Sequence, residues 1–597
     1  METISCLSKT EAMPTVMAEV AERIMRQTTE ALIYEDIIAV SRNGREWYFT
    51  GTSAEGSVVN YSCLADEKWS FGRVKIERGS IKREGEACVN IYIFLEEVIQ
   101  NQLNGALAAQ FIHELLETLA KDHQCKTFGP ERIPESDMHY EALESHMTDG
   151  HPYHPSYKSR IGFSLSDNFA YGPEFNQEVN IYWVAVNKQL VDVAVSGDRS
   201  LSELYKHHLT DEEIGKFQQT IEEKGCSDKT YVLMPVHPWQ WEHRIQSDFV
   251  QQSTDKDMIP LGISSSPYRP QQSIRSLSHR GNPDAAYIKL SLSITNTSTS
   301  RILANHTTQN APLISNWLNS LIRNDALLQK ERFHILREVM GISFRYDELP
   351  SIQYRWAYGT LGAIFRENVS VYLEADEEAW PLNALLLTQK DGTPFIQAAI
   401  EQYGVEAWSD ALIRTVTLPI IHLLYAHGIA LESHAQNIIL VTRNNFPVRI
   451  IVKDLHDGVR YTPSRLLHPE RAPQLHPEPK THRKFNRYSF IQAEEVSEVR
   501  DYTYDAFFFI CMTDICLTLE KFGLSEEAFW RKCAEIIVTY QNDQPEYKER
   551  FEWFDLFAED ALVEEMTKRR IYGDGELYFR KVKNPLLLAR ESYDAKK

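Results

Sequence analysis

Polar side chains on either side of a predicted β-hairpin carry the most specific chemistry in this sequence. His434, Gln436 and Asn437 precede the hairpin, and Asp454 follows it. In kinases, an Asn before such a hairpin and an Asp after it hold Mg²⁺ on ATP. The kinase base would stand two residues after the histidine, where this chain has Gln436. The pattern therefore favours ATP and Mg²⁺ binding with a reaction such as adenylation of a carboxylate, which needs no base. An ordinary helix–hairpin junction with solvated polar residues is the alternative.

Cationic side chains in three further segments suit a phosphate-rich ligand. Ser273 and Arg275 belong to a loop in which hydroxyls surround an arginine, as in a phosphate clamp. Lys289 lies in an apolar predicted strand, where a lysine is costly unless it is paired or binds an anion. The hydroxyl- and amide-rich run 295–301 follows and ends in Arg301. These segments predict phosphate and carboxylate binding; a surface loop and an edge strand with one lysine are the plain alternatives.

The segment 150–163 contains two His-Pro steps followed by two cations. Proline restricts the residue before it to extended backbone. Lys158 and Arg160 are therefore expected to project from one side of an extended segment, where they suit a polyanion. Zinc is the rival interpretation for His151 and His154, but no third ligand stands at a familiar spacing. A plain polar loop is the other alternative.

The elements around the hairpin position its polar residues. Residues 411–427 have a helical pattern that ends at Gly428, a typical C-terminal stop. Two strands are predicted to follow, at 437–441 and 448–452, joined by the turn 442–446. The order is therefore a helix, a loop with the polar residues, and a hairpin that ends with Asp454.

The remaining pattern is a mixture of helices and strands. Apolar residues at three- and four-residue steps predict one amphipathic helix over 96–123. The Ser-, Pro- and Gln-rich stretch 264–278 is typical of a loop. Apolar and β-branched runs predict strands at 89–94, 179–186, 231–236 and 287–294. We therefore expect an α+β protein whose first and last parts are mainly helical and whose middle is rich in strands.

The bulk composition bounds the class of protein. The 597 residues include 84 acidic residues and 63 Lys or Arg, which gives a formal net charge of −21 and disfavours a nucleic-acid partner. Eight cysteines without a CxxC pair are typical of reduced thiols in a cytosol. The first 20 residues lack a continuous apolar core, and the most apolar later run, 507–510, is far shorter than a membrane span. We therefore expect a soluble cytoplasmic protein with no membrane partner.

Taken in order, the motifs resemble those of one family. The set HPYHPSYKSRIGF, PVHPWQWEH, SIRS, the lysine strand, HAQN and KDLHDGV is similar to that of the IucA/IucC-type siderophore synthetases, which work without a peptide-synthetase assembly line (NIS synthetases). These motifs lie between about residues 150 and 460, and the segment KNPL extends the likeness towards the C-terminus. The resemblance implies a three-part, hand-like fold. Its parts would be a mainly helical thumb (1–140), β-rich fingers with ATP-phosphate-binding loops (141–400) and a mainly helical, kinase-like palm with the Mg-ATP hairpin (401–597).

The resemblance also implies an ATP-dependent acid–amine ligase. ATP would activate a carboxylate, typically of citrate, as an acyl-adenylate with release of pyrophosphate. An amine or hydroxyl would then attack to form an amide or ester, with AMP as the other product. His154, Lys158 and Arg160 would line the phosphate or carboxylate side. The family resemblance further implies Mg²⁺ as a cofactor and a homodimer.

The family motifs assign roles to the cationic segments. Ser273, Arg275, Lys289 and Arg301 would bind the triphosphate or stabilise the adenylate. Arg275 and Arg301 would counter the charge of the transition state.

The family motifs assign roles to the hairpin residues as well. His434 and Gln436 would contact the nucleotide, with His434 as a third catalytic group. Asn437 and Asp454 would hold Mg²⁺, with Asp457 as a weaker candidate.

Several alternatives stay open at this point. Within the family, the acid is citrate, a 2-oxoglutarate-type acid or a citrate already amidated once. A kinase-like phosphotransferase would release ADP and need an Asp base, which Gln436 does not provide. A non-catalytic carboxylate-binding protein would explain a basic pocket but not the paired Asn437 and Asp454.

Overall fold

The computed structural model describes residues 15–129, 139–147, 149–296, 299–389, 391–484, 490–573 and 578–594. Residues 1–14, which make up most of the N-terminal segment that lacks a continuous apolar core, lie outside these ranges, as do residues 297 and 298 of the predicted hydroxyl-rich run. Within the described ranges, helices and sheets are mixed along the whole chain, as expected for an α+β protein.

The N-terminal part packs helices on an antiparallel sheet, with strand order β1-β2-β3-β5-β6 and β4 on the free part of β3. Its strands are β1 (Ser41–Asn43), β2 (Glu46–Thr52), β3 (Val58–Glu67), β4 (Val74–Ile76), β5 (Lys82–Arg83) and β6 (Glu86–Ala87). Its helices are α1 (Thr15–Tyr34), α2 (Ile91–Leu95), α3 (Ala108–Phe128) and α4 (Tyr140–His146), with a π-helical turn at Glu96–Gln100.

Two predictions in this part are wrong. The predicted strand 89–94 is instead mostly helix α2, because the Asn90 side chain caps it by accepting hydrogen bonds from the N–H groups of Tyr92 and Ile93. The predicted continuous helix 96–123 is interrupted before α3. There the N–H of Leu107 donates to the carbonyl of Ile571, so docking onto the C-terminal part replaces helical hydrogen bonds.

The central part is built on an eight-stranded sheet with the order β8-β16-β17-β12-β11-β10-β7-β9. Its strands, together with three short ones outside this sheet, are β7 (Val179–Asn187), β8 (Val191–Val195), β9 (Tyr231–Val236), β10 (Met258–Pro270), β11 (Ser276–His279), β12 (Tyr287–Leu290), β13 (Leu292–Asn296), β14 (Thr299–Arg301), β15 (His334–Ile335), β16 (Glu338–Phe344) and β17 (Gly362–Arg366). Its helices are α5 (Leu165–Tyr171), α6 (Leu201–Lys206), α7 (Asp211–Glu223), α8 (Pro238–Gln240), α9 (Gln246–Asp248), α10 (Val250–Thr254), α11 (Asn305–Arg323), α12 (Ala326–Lys330) and α13 (Ser351–Ala357), with a π-helical turn at Trp241–Ile245.

The strands predicted near 179–186 and 231–236 are confirmed as β7 and β9. The predicted loop 264–278 is wrong over most of its length, because β10 pairs with β7 as far as Tyr268 and only residues 271–275 form a loop between β10 and β11. The predicted strand 287–294 is divided, since β12 belongs to the eight-stranded sheet while β13 pairs with β14.

The C-terminal part combines helices with three small groups of strands. Its strands are β18 (Glu378–Pro381), β19 (Ile429–Leu431), β20 (Ile438–Arg443), β21 (Phe446–Val452), β22 (Val459–Tyr461), β23 (Asp560–Glu564) and β24 (Phe579–Lys583). Its helices are α14 (Gln397–Tyr403), α15 (Val405–His422), α16 (Val496–Thr503), α17 (Thr513–Glu520), α18 (Glu526–Asp543), α19 (Lys548–Trp553), α20 (Met566–Tyr572) and α21 (Pro585–Asp594), with π-helical segments at Leu423–His427 and Tyr504–Met512.

The predicted helix and hairpin of this part are confirmed. Helix α15 continues into the first π-helical segment and stops at Gly428, which has φ +72°. Strands β20 and β21 pair antiparallel with Ile438 opposite Val452. This register places Asn437 opposite Lys453, whose N–H donates to the Asn437 carbonyl over 2.9 Å.

Two large apolar cores hold these parts together. The larger core combines side chains from the N-terminal and C-terminal parts, and Tyr34 stacks on Phe509 with ring centroids 5.9 Å apart. The second core fills the central sheet. In the described ranges, the continuous helix Val496–Glu520 is long and apolar enough to cross a membrane, but 78% of its most apolar window is buried inside the protein, as for a core helix.

Candidate active site

One cavity of about 1560 Å³ lies between the central sheet, the hairpin β20–β21 and the helix that begins with α16. Its walls come from sequence segments more than 300 residues apart. All eleven residues predicted to bind or react line this cavity: His154, Lys158, Arg160, Ser273, Arg275, Lys289, Arg301, His434, Gln436, Asn437 and Asp454.

The loop between β10 and β11 is held in a strained conformation. Ile274 has φ +69°, which is unusual for a β-branched residue, and its N–H donates to the Gln271 carbonyl over 2.7 Å. The Ser273 hydroxyl oxygen accepts a hydrogen bond from the N–H of Ser276 over 3.1 Å. Such strain is concentrated at functional sites. The strained loop conformation thus fixes the positions of Ser273 and Arg275 in the cavity wall.

Arg275 and Arg301 bring two guanidinium groups to the same wall, the first buried and the second half-buried. Arg275 Nη1 donates to the carbonyls of Arg301 and Ile302 over 2.7 and 2.8 Å. Burial and then the charge of Arg301 lower the pKa of Arg275 to about 10. Burial also lowers the pKa of Arg301, although Glu432 and Asp454 oppose this. Within the described ranges, Arg275 has no carboxylate at ion-pair distance, so an anion in the cavity would relieve the repulsion between the two guanidinium groups.

Lys289 is held on β12 opposite Ser276 of β11, with its ammonium in a buried charge network. Its Nζ lies 3.4 Å from Asp454 Oδ1 and 3.1 Å from His456 Nε2. The other ring nitrogen of His456 lies 2.6 Å from Glu338 Oε1. These partners indicate that His456 donates from Nδ1 to Glu338 and accepts from Lys289 at Nε2. Burial lowers the pKa of Lys289 to about 8, and Asp454 opposes that effect.

Asn437 and Asp454 lie at the open end of the hairpin. The Asn437 side-chain amide donates to the carbonyl and the carboxylate of Glu432 over 3.1 and 3.3 Å. Asp454 has φ +64° and accepts a charged hydrogen bond from Arg366 as well as facing Lys289. Burial acts to raise the pKa of Asp454, but Lys289 and Arg366 outweigh it and hold the pKa well below its usual value. Asp454 is therefore ionised at neutral pH.

Glu432 is a functional candidate that the sequence motifs did not identify. It lines the cavity between the two ends of the hairpin. Burial, followed by the charges of Asp454 and Asp457, raises the pKa of Glu432 to about 7. Three carboxylates therefore share one wall with the Asn437 amide, and a bound divalent cation would relieve the repulsion between them. Their oxygen atoms are the ligands that Mg²⁺ prefers. The signal that could have found Glu432 is its position two residues before His434.

His434 and Gln436 present neutral polar groups to the cavity. Both side chains are half-buried. Burial lowers the pKa of His434 to about 4, against the opposing charge of Asp454, so the ring is neutral at neutral pH. A neutral imidazole and an amide are suited to hydrogen bonding with a nucleotide rather than to charge neutralisation.

The His-Pro segment does not have the extended backbone that the sequence predicts. It forms bends and turns, and Arg160 has φ +37°. Lys158 Nζ lies 2.6 Å from Asp122 Oδ1, and Arg160 Nη2 lies 2.7 Å from Glu174 Oε1. Both cations are thus buried in ion pairs, because long-range packing against α3 overrides the local preference of the His-Pro steps.

His154 belongs to the same segment but has a different environment. Its side chain is only 1% exposed, and neither ring nitrogen has a hydrogen-bond partner among the residues that the structure describes. Burial, then His151 and Arg569, lower the pKa of His154 to about 3. The neutral ring therefore offers one donor and one acceptor at the cavity wall.

Comparison with known families gives two matches. The model of the IucA / IucC family matches residues 139–387, which include the strained loop, Lys289 and Arg301. A model described as Ferric iron reductase FhuF-like transporter matches residues 406–579, which include the hairpin.

Comparison with individual proteins extends the match to nearly the whole chain. The chain is 39% identical to a 2-[(L-alanin-3-ylcarbamoyl)methyl]-3-(2-aminoethylcarbamoyl)-2-hydroxypropanoate synthase of Staphylococcus aureus (strain NCTC 8325 / PS 47), covering 96% of this chain and 93% of that protein. It is 36% identical to a citryl-spermidine/3,4-dihydroxybenzoyl-citryl-spermidine:spermidine ligase of Bacillus anthracis, covering 96% and 94%. The crystal structure of the petrobactin biosynthesis protein AsbB from Bacillus anthracis str. Sterne superposes with a TM-score of 0.90 at 36% identity, covering 98% of both chains.

Proposed function

Because the chain belongs to the IucA/IucC family of siderophore synthetases, we propose that it is an ATP-dependent ligase that condenses a carboxylate of citrate with an amine. One observation carries this proposal. Five separate segments bring buried cations, carboxylates and neutral hydrogen-bonding groups to a single cavity. The names of the two relatives, a synthase with a carbamoyl product and a citryl-spermidine ligase, support an amide of citrate as the product class.

In the first proposed step, a citrate carboxylate oxygen attacks the α-phosphorus of ATP. A bond forms between the carboxylate oxygen and the α-phosphorus. The bond between the α-phosphorus and the oxygen that bridges it to the β-phosphate breaks, and pyrophosphate leaves with that electron pair. Arg275 and Arg301 would stabilise the charge that builds on the phosphate oxygens, since hydrogen bonds to backbone carbonyls fix both guanidinium groups before the reaction. Ser273 and Lys289 would hold the phosphates, and His434 would stabilise the same charge as a hydrogen-bond donor.

The hairpin residues would complete the nucleotide site. Asn437 and Asp454 would hold Mg²⁺, and we add Glu432 to this set because of its shared wall with Asp454. Bound Mg²⁺ would screen the triphosphate and polarise its oxygens. Gln436 would position the nucleotide by hydrogen bonding.

In the second proposed step, a neutral amine attacks the acyl carbon. The carbon–nitrogen bond forms, the bond between the acyl carbon and the AMP oxygen breaks, AMP leaves with that electron pair, and the nitrogen releases its proton to water. For the carboxylate side we propose His154, Lys158 and Arg160. His154 is the strongest of the three, because both cations already have carboxylate partners.

The wider assignments follow from the family. We propose the hand-like arrangement of a thumb (1–140), fingers (141–400) and a kinase-like palm (401–597), a cytoplasmic location and a homodimer. Size-exclusion chromatography with light scattering tests the dimer, for which a mass of twice 69.0 kDa is expected.

Product analysis tests the reaction. The protein is incubated with ATP, Mg²⁺ and hydroxylamine, with citrate, 2-oxoglutarate or succinate as the acid. We expect AMP and pyrophosphate in equal amounts and a hydroxamate, with citrate as the preferred acid. Arg301→Gln should lower kcat/KM by about 100-fold or more, as expected for a donor to transition-state charge. Arg355→Gln, a matched change at an exposed position, should have no effect.

Two results would contradict the proposal. Release of ADP and phosphate in place of AMP would indicate a kinase-like phosphotransferase. Binding of citrate without any turnover of ATP would indicate a non-catalytic carboxylate-binding protein.

A further inference from the structure

Two histidines and an aspartate form a cluster outside the cavity, where α12, the end of α15 and α18 meet. Asp325 immediately precedes α12, His422 ends α15, and His427 ends the π-helical segment that follows α15. Asp325 Oδ2 lies 2.9 Å from His422 Nε2 and 2.9 Å from His427 Nε2. One ligand atom from each residue lies within 4.8 Å of the other two. We call these three residues the His–Asp cluster.

The π-helical segment brings the two histidines of the cluster together. The N–H of Gly428 donates to the carbonyl of Leu423, five residues earlier. In an α-helix, residues five apart point about 140° away from each other. A π-helical turn closes over five residues, so it returns such residues to nearly the same face. The ring centroids of His422 and His427 are therefore only 5.4 Å apart, with the ring planes at 80°. Single π-helical turns are rare and are frequent at functional sites.

Hydrogen bonds from neighbouring elements orient two of the three ligand groups. The Tyr540 hydroxyl of α18 lies 2.8 Å from His422 Nδ1. Asp325 Oδ1 accepts the N–H of Leu328 over 2.8 Å, which leaves Oδ2 to face the two rings. Metal-binding histidines hydrogen-bond through their second ring nitrogen in this way, and carboxylates that bind a metal are hydrogen-bonded as well.

The donor atoms of the cluster select a class of ion. Two imidazole nitrogens and one carboxylate oxygen suit Zn²⁺, whereas Mg²⁺ prefers oxygen ligands and water. Both rings are buried and Asp325 is half-buried, so water can complete the coordination from the side of the carboxylate. This donor set differs from the oxygen ligands of Asn437 and Asp454 in the cavity.

We propose that the His–Asp cluster binds one Zn²⁺ ion through Asp325 Oδ2 and the Nε2 atoms of His422 and His427. The His422 ring then carries its proton on Nδ1 and donates it to the Tyr540 hydroxyl. The ion joins α12 to the end of α15 and to the start of β19, which begins two residues after His427. It stabilises this junction and takes no part in the reaction, so the inference does not depend on the proposed ligase function.

Zinc binding to the full chain tests the inference. The protein is stripped with EDTA and returned to a buffer with excess Mg²⁺, which fills sites made of oxygen ligands. Competition with a chromophoric zinc chelator then gives the affinity and the stoichiometry. We expect one tight site per chain, and we expect Zn²⁺ to raise the Tm of the wild-type protein.

Three variants separate a metal site from a hydrogen-bonded cluster. His427→Gln keeps an N–H group that can donate to Asp325 but lacks an imidazole ligand, so the tight site should be lost. Tyr540→Phe removes only the hydroxyl beside His422 and should weaken zinc binding by about 10-fold to 100-fold. His113→Gln, a matched change at an exposed position, should bind zinc as the wild type does.

Two results would overturn the inference. Equal zinc affinity in His427→Gln and in the wild type would place the bound zinc elsewhere. A wild-type protein that binds no zinc, and whose Tm does not respond to Zn²⁺, would show that the three residues are held by hydrogen bonds alone. Visible absorption of Co²⁺ added to the wild-type protein gives a readout that needs no variant, and a spectrum equal to that of aqueous Co²⁺ would also overturn the inference.

Discussion

At the scale of single residues, the cations that line the cavity differ in their partners: some are paired with carboxylates, and others are not. Lys158 and Arg160 are neutralised by Asp122 and Glu174. Arg275, in contrast, donates only to backbone carbonyls in the described ranges. A buried cation with only neutral partners favours the binding of an anion, because the anion replaces the favourable interaction with water that the cation lost on burial. The difference between these two classes of cation indicates where phosphate is bound.

Lys289 makes the positive charge of the cavity depend on pH. Because burial lowers its pKa to about 8, the ammonium loses its proton as pH rises through 8, well below the ordinary value of 10.5. The charge available to a triphosphate is therefore present below pH 8 and lost above it. We expect the affinity for ATP, measured by calorimetry, to fall by about tenfold between pH 7 and pH 9, within the range for a hydrogen bond to a charged group.

Two variants isolate the contribution of Lys289. Lys289→Met should bind ATP weakly at every pH and lose this pH dependence. Lys188→Met changes an exposed lysine in the same way and should keep the wild-type profile. The same fall in affinity in Lys289→Met as in the wild type would show that another group titrates.

At the scale of elements, the hairpin β20–β21 sets the distance between the metal-site candidates. Its register is fixed at the far end by a two-residue turn in which Asn444 and Asn445 have φ +51° and +65°. Two positive φ values match the right-handed twist of a hairpin. The Tyr403 hydroxyl and the Trp408 indole N–H donate to the carbonyls of this turn over 2.8 and 2.9 Å. The turn is thus tied to α14 and α15 as well as to its own strands.

A β-branched residue in this turn should weaken the nucleotide site from a distance. Asn445→Val places a β-branched side chain at a positive φ and is expected to cost about 1–2 kcal/mol of unfolding free energy. It should also raise the KM for ATP, because a shifted register would separate Asn437 from Asp454. Urea unfolding and steady-state kinetics measure the two effects. Asn445→Gly, which tolerates this φ, should match the wild type in both; equal loss in both variants would assign the effect to the Asn side chain instead.

The parts of the site that sequence could predict are those with a local pattern. The hairpin between His434, Asn437 and Asp454 could be predicted, because residues that are neighbours in the sequence form both its turn and its strands. The pairing of Lys158 with Asp122 was not readable, because the partners are 36 positions apart and meet only through packing on α3. The strand predicted at 89–94 failed for another reason, since one capping side chain, Asn90, outweighed the β propensity of the residues after it.

At the scale of the whole molecule, the two ends of the chain form one structure around the cavity. Arg73 pairs with Asp514 over 2.8 Å, with both side chains buried. The Glu35 carboxylate, just after α1, accepts the N–H groups of Thr567 and Lys568 at the start of α20 over 3.1 and 2.6 Å. It also accepts the Tyr153 hydroxyl of the His-Pro segment over 2.9 Å. One buried acid thus joins the N-terminal part, the C-terminal part and the cavity wall.

This junction makes the stability of the whole protein depend on pH. Burial raises the pKa of Glu35 from 4.5 to about 7, against the hydrogen bonds of Lys568 and Thr567. The folded state therefore holds a proton that the unfolded state releases above pH 4.5. Its contribution to stability is fully present below pH 4.5 and is lost as pH rises through about 7. At 1.36 kcal/mol for each pH unit, this window sets an upper limit of about 3 kcal/mol.

Glu35→Gln cannot ionise, so its unfolding free energy relative to the wild type should increase between pH 4.5 and pH 8 and stay constant above. Urea unfolding across this range measures the difference, with Glu55→Gln, an exposed acid of the same part, as the matched control. A difference that does not change with pH would mean that Glu35 is ionised throughout and that the hydrogen bonds from α20 outweigh its burial.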